Sequence, residues 1–250
     1  MEYKIYPLHL GTFKAMEMSN LLYQINPGVK VPQPILGWLI LGGEEPIVVD
    51  TGGSGEEWAR IYHHGLERPE ELSMGAQLEK HGVHPDDVKI VVNTHLHWDH
   101  CFQNDVFKNA TFLVQKKELQ AAVAPLPTQR GYYETGIKGV IPAWMKTFDR
   151  MRVLDGDTHL TDGIELLHLP GHTPGMQGVL VQTAKGPYLI PSDTIGVYEN
   201  WTGNDVMEHI PQGIHWSLED YFATFKKMEN TNATVLPSHD FRVLECEYYG

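Results

Sequence analysis

Short apolar runs punctuated by turn residues dominate the first 115 positions: GWLIL at 37–41, PIVVDTGG at 46–53, KIVVNTH at 89–95 and ATFLVQ at 110–115. Runs of this length, rich in Val and Ile and bounded by Gly, Pro and Asn, predict strands. Between the second and third lies PEELSMGAQLEKHG, where Leu72, Gly75, Ala76 and Leu78 fall at helical spacing and His81-Gly82 supplies a stop. The second half repeats the theme, with strands expected at RVLDGD, GIELLHLPGH, GVLVQT, PYLIPSD and ATVLPSHD. A late helix is the clearest: Ser217 and Asp220 form a capping-box-like start, and Leu218, Tyr221, Phe222, Phe225 and Met228 make one apolar face.

Residues 116–150 break this rhythm. KKELQAAVAP reads as helix, but LPTQRGYYETGIKGVIPAWMKTFDR mixes Pro, Gly and aromatics without a period, which suits a lid, a pocket wall or an insertion. No low-complexity linker divides the chain and no sequence repeat is evident, so residues 1–250 are expected to form one domain with a pocket-forming insertion at 116–150. A hydrophobic fraction of 42% is too high for disorder.

The opening MEYKIYPLHLGTF lacks a basic start followed by a long apolar stretch, and no apolar run is long enough to span a bilayer. With only Cys101 and Cys246 there is no disulfide scaffold, so a cytoplasmic protein that uses no membrane is expected. The formal charge of −13, with no basic cluster to override it locally, argues against nucleic acid as a partner.

Of 14 histidines, five fall in three short stretches. The densest is NTHLHWDHC at 93–101, directly after an apolar run. In an extended chain His95, His97 and Asp99 share one face and His100 points away, so convergence on one centre requires a turn at 98–100. Imidazoles with carboxylates suit Zn²⁺, Fe or Mn better than the all-oxygen sites of Mg²⁺ or Ca²⁺. One loop cannot complete two metal sites, so further ligands are expected at other turns. His172 in HLPGHTPG, Asp193 in YLIPSD and His239 in TVLPSHD each follow a hydrophobic run. Taken singly, His172 or His239 could be a hydrogen-bonded core histidine and Asp193 a turn former.

The motifs VVDTGG (48–53), THLHWDH (94–100), PGHTPG (170–175), SD (192–193) and PSHD (237–240), in this order, resemble those of the metallo-β-lactamase superfamily. Within it, the overall length and the segment from VVNTHLHWDH to FLVQKKE are most similar to the quorum-quenching N-acyl homoserine lactonase group. The resemblance implies an α/β fold, an αβ/βα sandwich of two mixed sheets with helices on the outer faces and metals at one edge. It implies that His95, His97 and His172 hold one divalent ion, zinc by preference. Asp99, His100 and His239 then hold a second, Asp193 bridges the two, and Asp50 supports the site without being a ligand.

Two ions about 3.5–4 Å apart can share a hydroxide that attacks a carbonyl while one ion polarises it. The implied reaction is opening of a lactone, an N-acyl homoserine lactone or a related one, with Asp99 moving the proton. Another ester, a thioester or a β-lactam is the alternative on the same fold. Met18, Tyr23, Phe102, Tyr133 and Trp144, with Met16 and Tyr132, are expected to wall an apolar pocket, although core packing is an equally good reading of each. Two positions depart from the family pattern. Cys101-Phe102 stands where many members have Gly-Gly, and Gly196 stands where homoserine lactonases carry a tyrosine three residues after the bridging aspartate. Tyr198, two residues later, is the candidate substitute donor to the oxyanion, with a packing or solvent-facing tyrosine as the alternative reading. The expected partner is a small lactone or ester; the oligomeric state is left open, a homodimer included. A flavodiiron-type oxygen reductase is disfavoured because no flavin domain follows, and a non-catalytic module is disfavoured by seven intact ligand candidates.

Overall fold

The strands Ile47–Val49 and Ile90–Val92 are apolar at every position because they are covered on both faces. Val48, Val91 and Phe112 pack outward beneath helices, whereas Ile47, Val49, Val92 and Leu113 point inward against a second sheet. That two-sided burial is what a central parallel strand requires. The computed structural model describes residues 2–250.

The first sheet comprises β1 (Lys4–Glu17), β2 (Lys30–Leu41), β3 (Ile47–Val49), β4 (Leu66–Glu67), β5 (Ile90–Val92), β6 (Thr111–Gln115) and β7 (Met151–Leu154), ordered β4-β1-β2-β3-β5-β6-β7. The strands β3, β5, β6 and β7 run parallel, and β1, β2 and β4 join by antiparallel pairing. The second contains β8 (Thr158–Thr161), β9 (Ile164–His168), β10 (Gln177–Thr183), β11 (Gly186–Ile190) and β12 (Thr234–Val235), ordered β12-β11-β10-β9-β8. Both sheets are mixed, since β11 and β12 are parallel and the other pairs of the second sheet antiparallel. Between them lies a core that includes Ile5, Trp38, Val49, Leu166, Val179 and Ile190.

Among the described residues seven α-helices complete the fold: α1 (Met18–Leu21), α2 (Glu56–Tyr62), α3 (Met74–Glu79), α4 (Trp98–Cys101), α5 (Lys116–Val123), α6 (Tyr198–Thr202) and α7 (Leu218–Glu229). Ala59 of α2 and Met74 and Leu78 of α3 cover the outside of the first sheet, and Tyr221, Phe225 and Met228 of α7 cover the outside of the second. The result is the αβ/βα sandwich. No helix among the described residues is long and apolar enough to cross a membrane.

Several elements differ from expectation. The long β1 is absent from the strand readings, and β2 extends well before Gly37. In PEELSMGAQLEKHG a 3-10 turn at Glu70–Leu72 precedes α3. The start of α7 is as read, with Ser217 Oγ accepting the Asp220 N–H, but its buried stripe is Tyr221, Thr224, Phe225 and Met228 while Phe222 is 45% exposed. Thr224 takes a buried place because its hydroxyl donates to the carbonyl of Pro170. After α5, residues 124–142 run through turns to a 3-10 segment at Ala143–Arg150.

Candidate metal centre

Strand direction brings the ligand candidates together. In the second sheet β9, β11 and β12 share one direction, so the loops leaving them emerge at one edge. These loops carry His172, Asp193 and His239. In the first sheet β5 delivers His95 and His97, and Asp99 and His100 sit in the single turn of α4. Gln177 joins the two edges: its N–H donates to the Thr94 carbonyl, and its Nε2 donates to those of Asn93 and Leu113.

Two three-residue sets result, His95-His97-His172 and Asp99-His100-His239, each with ligand atoms within 4.8 Å of one another. Asp193 lies between them. Its Oδ1 is 3.0 Å from His239 Nε2 and 3.3 Å from His100 Nε2, while its Oδ2 is 3.5 Å from His172 Nε2. A third grouping, Asp50-His95-His100, is different in kind. Asp50 already accepts the Thr94 N–H at 2.8 Å, the Thr94 hydroxyl at 2.6 Å and His100 Nδ1–H at 2.9 Å, so it braces the loop from behind. This agrees with its expected supporting place.

The imidazole tautomers test whether a cation fits. His172 Nδ1 lies 2.8 Å from the Ile214 carbonyl, His239 Nδ1 2.8 Å from that of Pro34, and His100 Nδ1 beside the Asp50 carboxylate. Each acceptor requires N–H at Nδ1, which leaves the lone pair of Nε2 aimed inward. His95 Nε2 is buried without a hydrogen-bond partner. Convergent lone pairs backed by carbonyls and a carboxylate are the donor arrangement of a metal-binding histidine set, and the residues fit divalent metal.

The electrostatics divide accordingly. Burial, reinforced by neighbouring imidazoles, holds His95 and His97 well below the ordinary histidine value, and burial lowers His172. Burial also opposes charge on His100 and His239, but Asp193 and Asp99 outweigh it and raise both. Burial would push the carboxyls up, yet His100 and His239 hold Asp193 well below the usual range, and His100 foremost brings Asp99 down to about 2.

Residues 32–239 match the model of the metallo-beta-lactamase superfamily. The chain belongs to that superfamily. Among curated members it is 29% identical over 199 residues to an N-acyl homoserine lactonase of a Bacillus species, covering 74% of each chain. It is 28% identical over 261 residues to the N-acyl homoserine lactonase AttM of Azorhizobium caulinodans, covering 95% of this chain and 93% of the other. Among solved structures it resembles an N-acyl homoserine lactone hydrolase with the product N-hexanoyl-L-homoserine at its catalytic metal centre, with a TM-score of 0.81, 24% identity and full coverage of both chains. A quorum-quenching N-acyl homoserine lactone lactonase gives a TM-score of 0.80 at 25% identity, covering 100% of this chain and 99% of the other.

The superfamily's metal edge opens here into a recess bordered by Met16, Leu21, Gln33, Tyr132, Gln212 and Ile214 above the ligands. An adjoining apolar groove shares Leu21 and His239 with it and is walled by Met18, Ile25, Val31 and Phe241. Of the residues expected to wall the pocket, Met16, Met18 and Tyr132 border these hollows.

The others need correction. Tyr23 packs on His215 with ring centroids 5.5 Å apart, and Phe102 turns away to Trp58 and Lys146. Tyr133 donates to Glu118 at 2.8 Å, and Trp144 Nε1 donates to the Tyr133 carbonyl, so both are core behind His97. Tyr198 is not brought to the recess. Its N–H is tied to Asp240, its ring lies under the Arg242 guanidinium at 4.8 Å, and its hydroxyl is engaged with Tyr249. Position 196 is filled instead by Gln212 Nε2 and Leu21, which a Cβ there would meet at 2.5 and 3.3 Å.

Sequence reasoning missed Glu118. Wholly buried, it accepts the Leu96 N–H at 2.9 Å and the Thr173 hydroxyl at 2.6 Å, tying the loop of His95 and His97 to the loop of His172. At the start of a Lys-rich helix it reads as a solvated charge, and only tertiary structure shows otherwise.

Proposed function

We propose that the chain is a dinuclear hydrolase, with zinc as its metal, that opens the ring of an N-acyl homoserine lactone or a related lactone and so acts as a quorum-quenching enzyme. His95, His97 and His172 would hold one ion, Asp99, His100 and His239 the other, with Asp193 shared. The observation that carries this reading is the division of the Asp193 oxygens between the two ligand sets at the floor of a recess. Named lactonases aligned over nearly the whole chain support the substrate class.

Ions bound there supply Lewis acidity toward a carbonyl oxygen and make water nucleophilic at neutral pH. The protein's own groups do the rest. Attack at the ring carbonyl forms one C–O bond, the ring C–O bond breaks, and the departing alkoxide takes a proton, giving a hydroxy acid. Asp99, 13% exposed at its side chain where Asp193 is 8%, is the more exposed of the two carboxylates bordering the recess and would pass that proton through a carboxylate oxygen. The recess supplies Tyr132, whose ring centroid is 5.2 Å from that of His97, as the tyrosine beside the ligands in place of Tyr198. Tyr132 comes from 116–150, which supports reading that segment as a pocket-forming part of a single 1–250 domain. The apolar groove beside His239 suits the acyl chain.

The test combines metal analysis with a pH-indicator assay over lactones, thioesters and β-lactams. Two equivalents of zinc and one proton released per lactone opened are expected. Turnover of thioesters or β-lactams alone would overturn the lactonase reading and leave a metal hydrolase.

A further inference from the structure

Two glutamines in the recess have no job in the metal centre. Gln33 and Gln212 are 4% and 2% exposed, both border the hollow over the ligands, and each keeps one buried polar atom unpartnered: Oε1 of Gln33 and Nε2 of Gln212. Buried side-chain amide atoms are rarely left unpaired. Here one is an acceptor and the other a donor, on two residues that line the same hollow.

Both are held in place. Gln33 pairs with Phe13 across β1 and β2, next to Pro34, whose carbonyl orients His239. Around Gln212, the Pro211 carbonyl accepts the Tyr23 N–H, Gly213 N–H donates to Asn20, and the Gln212 carbonyl bonds His215 Nδ1. Gly213 allows this approach, since a Cβ there would lie 1.8 Å from the Ser19 carbonyl oxygen. Gly196 does the same for the side chain. Its backbone is not left-handed, so space is what it supplies, and a Cβ would lie 2.5 Å from Gln212 Nε2.

We propose that Gln212 and Gln33 read a secondary amide on the substrate, with Gln212 Nε2–H donating to the amide carbonyl oxygen and Gln33 Oε1 accepting the amide N–H. This rests on the lactonase reading and deepens it: the pair selects lactones that carry an acylamino group over lactones that carry a plain alkyl chain. An alkyl lactone leaves both glutamine atoms unpaired, which is how a buried polar site discriminates.

The experiment compares N-hexanoyl homoserine lactone with an alkyl-substituted γ-butyrolactone of matched chain length on the metal-loaded enzyme. The wild type is expected to prefer the amide. Gln212→Leu and Gln33→Leu should each lower the amide-to-alkyl ratio of kcat/KM about tenfold, the size of one lost neutral hydrogen bond at the upper end. Gln212→Met and Gln33→Met should do likewise, with metal content retained. Calorimetric binding of the non-hydrolysed lactam analogue of the amide substrate should weaken by the same factor. An unchanged ratio, or equal losses on both lactones, overturns amide recognition while the lactonase reading stands. Failure of the wild type to open either lactone overturns the lactonase reading and the amide contact with it.

Discussion

Asp193 is the residue that faces both candidate ligand sets. Its Oδ1 faces His239 and His100 and accepts the Ser238 hydroxyl at 2.7 Å, and its Oδ2 faces His172. Asp193→Ala is therefore expected to cost both ions together, whereas His172→Ala should chiefly weaken the set it shares with His95 and His97. Metal content of the dialysed variants, by atomic emission, checks this; similar mild losses in both would contradict a shared carboxylate. All seven candidate ligand positions were legible as a group that converges in space, because each stands just beyond an apolar strand, where an ordinary sequence would place turn formers. The residues that brace or border them were not. Gln33, Glu118, Gln177 and Gln212 find partners or neighbours far along the chain, and a buried glutamine or glutamate looks in sequence like a solvated one. Tyr198 misled for the opposite reason: its spacing from Asp193 was suggestive, but the start of α6 is bound to Asp240 and carries the ring away.

At the scale of elements, close approach matters as much as hydrogen bonding. The first turn of α5 presses on the His172 loop at Gly175, where a Cβ would lie 2.0 Å from the backbone nitrogen of Glu118. Gly175→Ala must push α5 away and loosen the bonds of Glu118 to Leu96 and Thr173, with an expected loss of about 1–3 kcal/mol and weaker metal retention. Gly75, within α3, has open space around it, and Gly75→Ala should stabilise by about 0.5–1 kcal/mol. Urea midpoints of both variants measure the contrast, and equal shifts would refute the steric account. The same scale explains what the pattern showed and hid. β3, β5 and β6 are short and apolar, hence visible, whereas β1 has register shifts between His9 and Thr12 and between Phe13 and Met16 that interrupt its alternation. Residues 124–142 have no period because side chains organise them: Glu134 accepts from Trp58 and the Ala143 N–H and bonds His63.

For the whole molecule, the sandwich brings loops from both sheets to one edge and buries five imidazoles there with the carboxylates of Asp50 and Asp193, so stability must be linked to metal and to pH. In protein stripped by a chelator, His95, His97 and His172 have lowered values, first through burial. Their contribution is complete above the ordinary 6.5 and is lost as the pH falls from there through the folded values. His100 and His239 are raised, Asp193 and Asp99 overcoming burial, so their contribution is complete below 6.5 and is lost as the pH rises through the folded values. The two groups pull in opposite directions, and the metal-free chain should be most stable near pH 6.5, with each displaced imidazole adding a slope of up to about 1.4 kcal/mol per pH unit on its own side. Bound metal removes the alkaline loss, because it takes the deprotonated ligands and releases their protons. The loaded protein should therefore gain stability from pH 5.5 to 8, exceeding the stripped protein by about 4 kcal/mol for each ion bound when free metal is a thousandfold above that ion's dissociation constant. Urea midpoints at pH 5.5, 6.5 and 8, with chelator and with added zinc, test both curves. A stripped protein with the same midpoint at all three would mean that the ligand loops relax when metal leaves, and that the charge pattern of the centre does not survive without it.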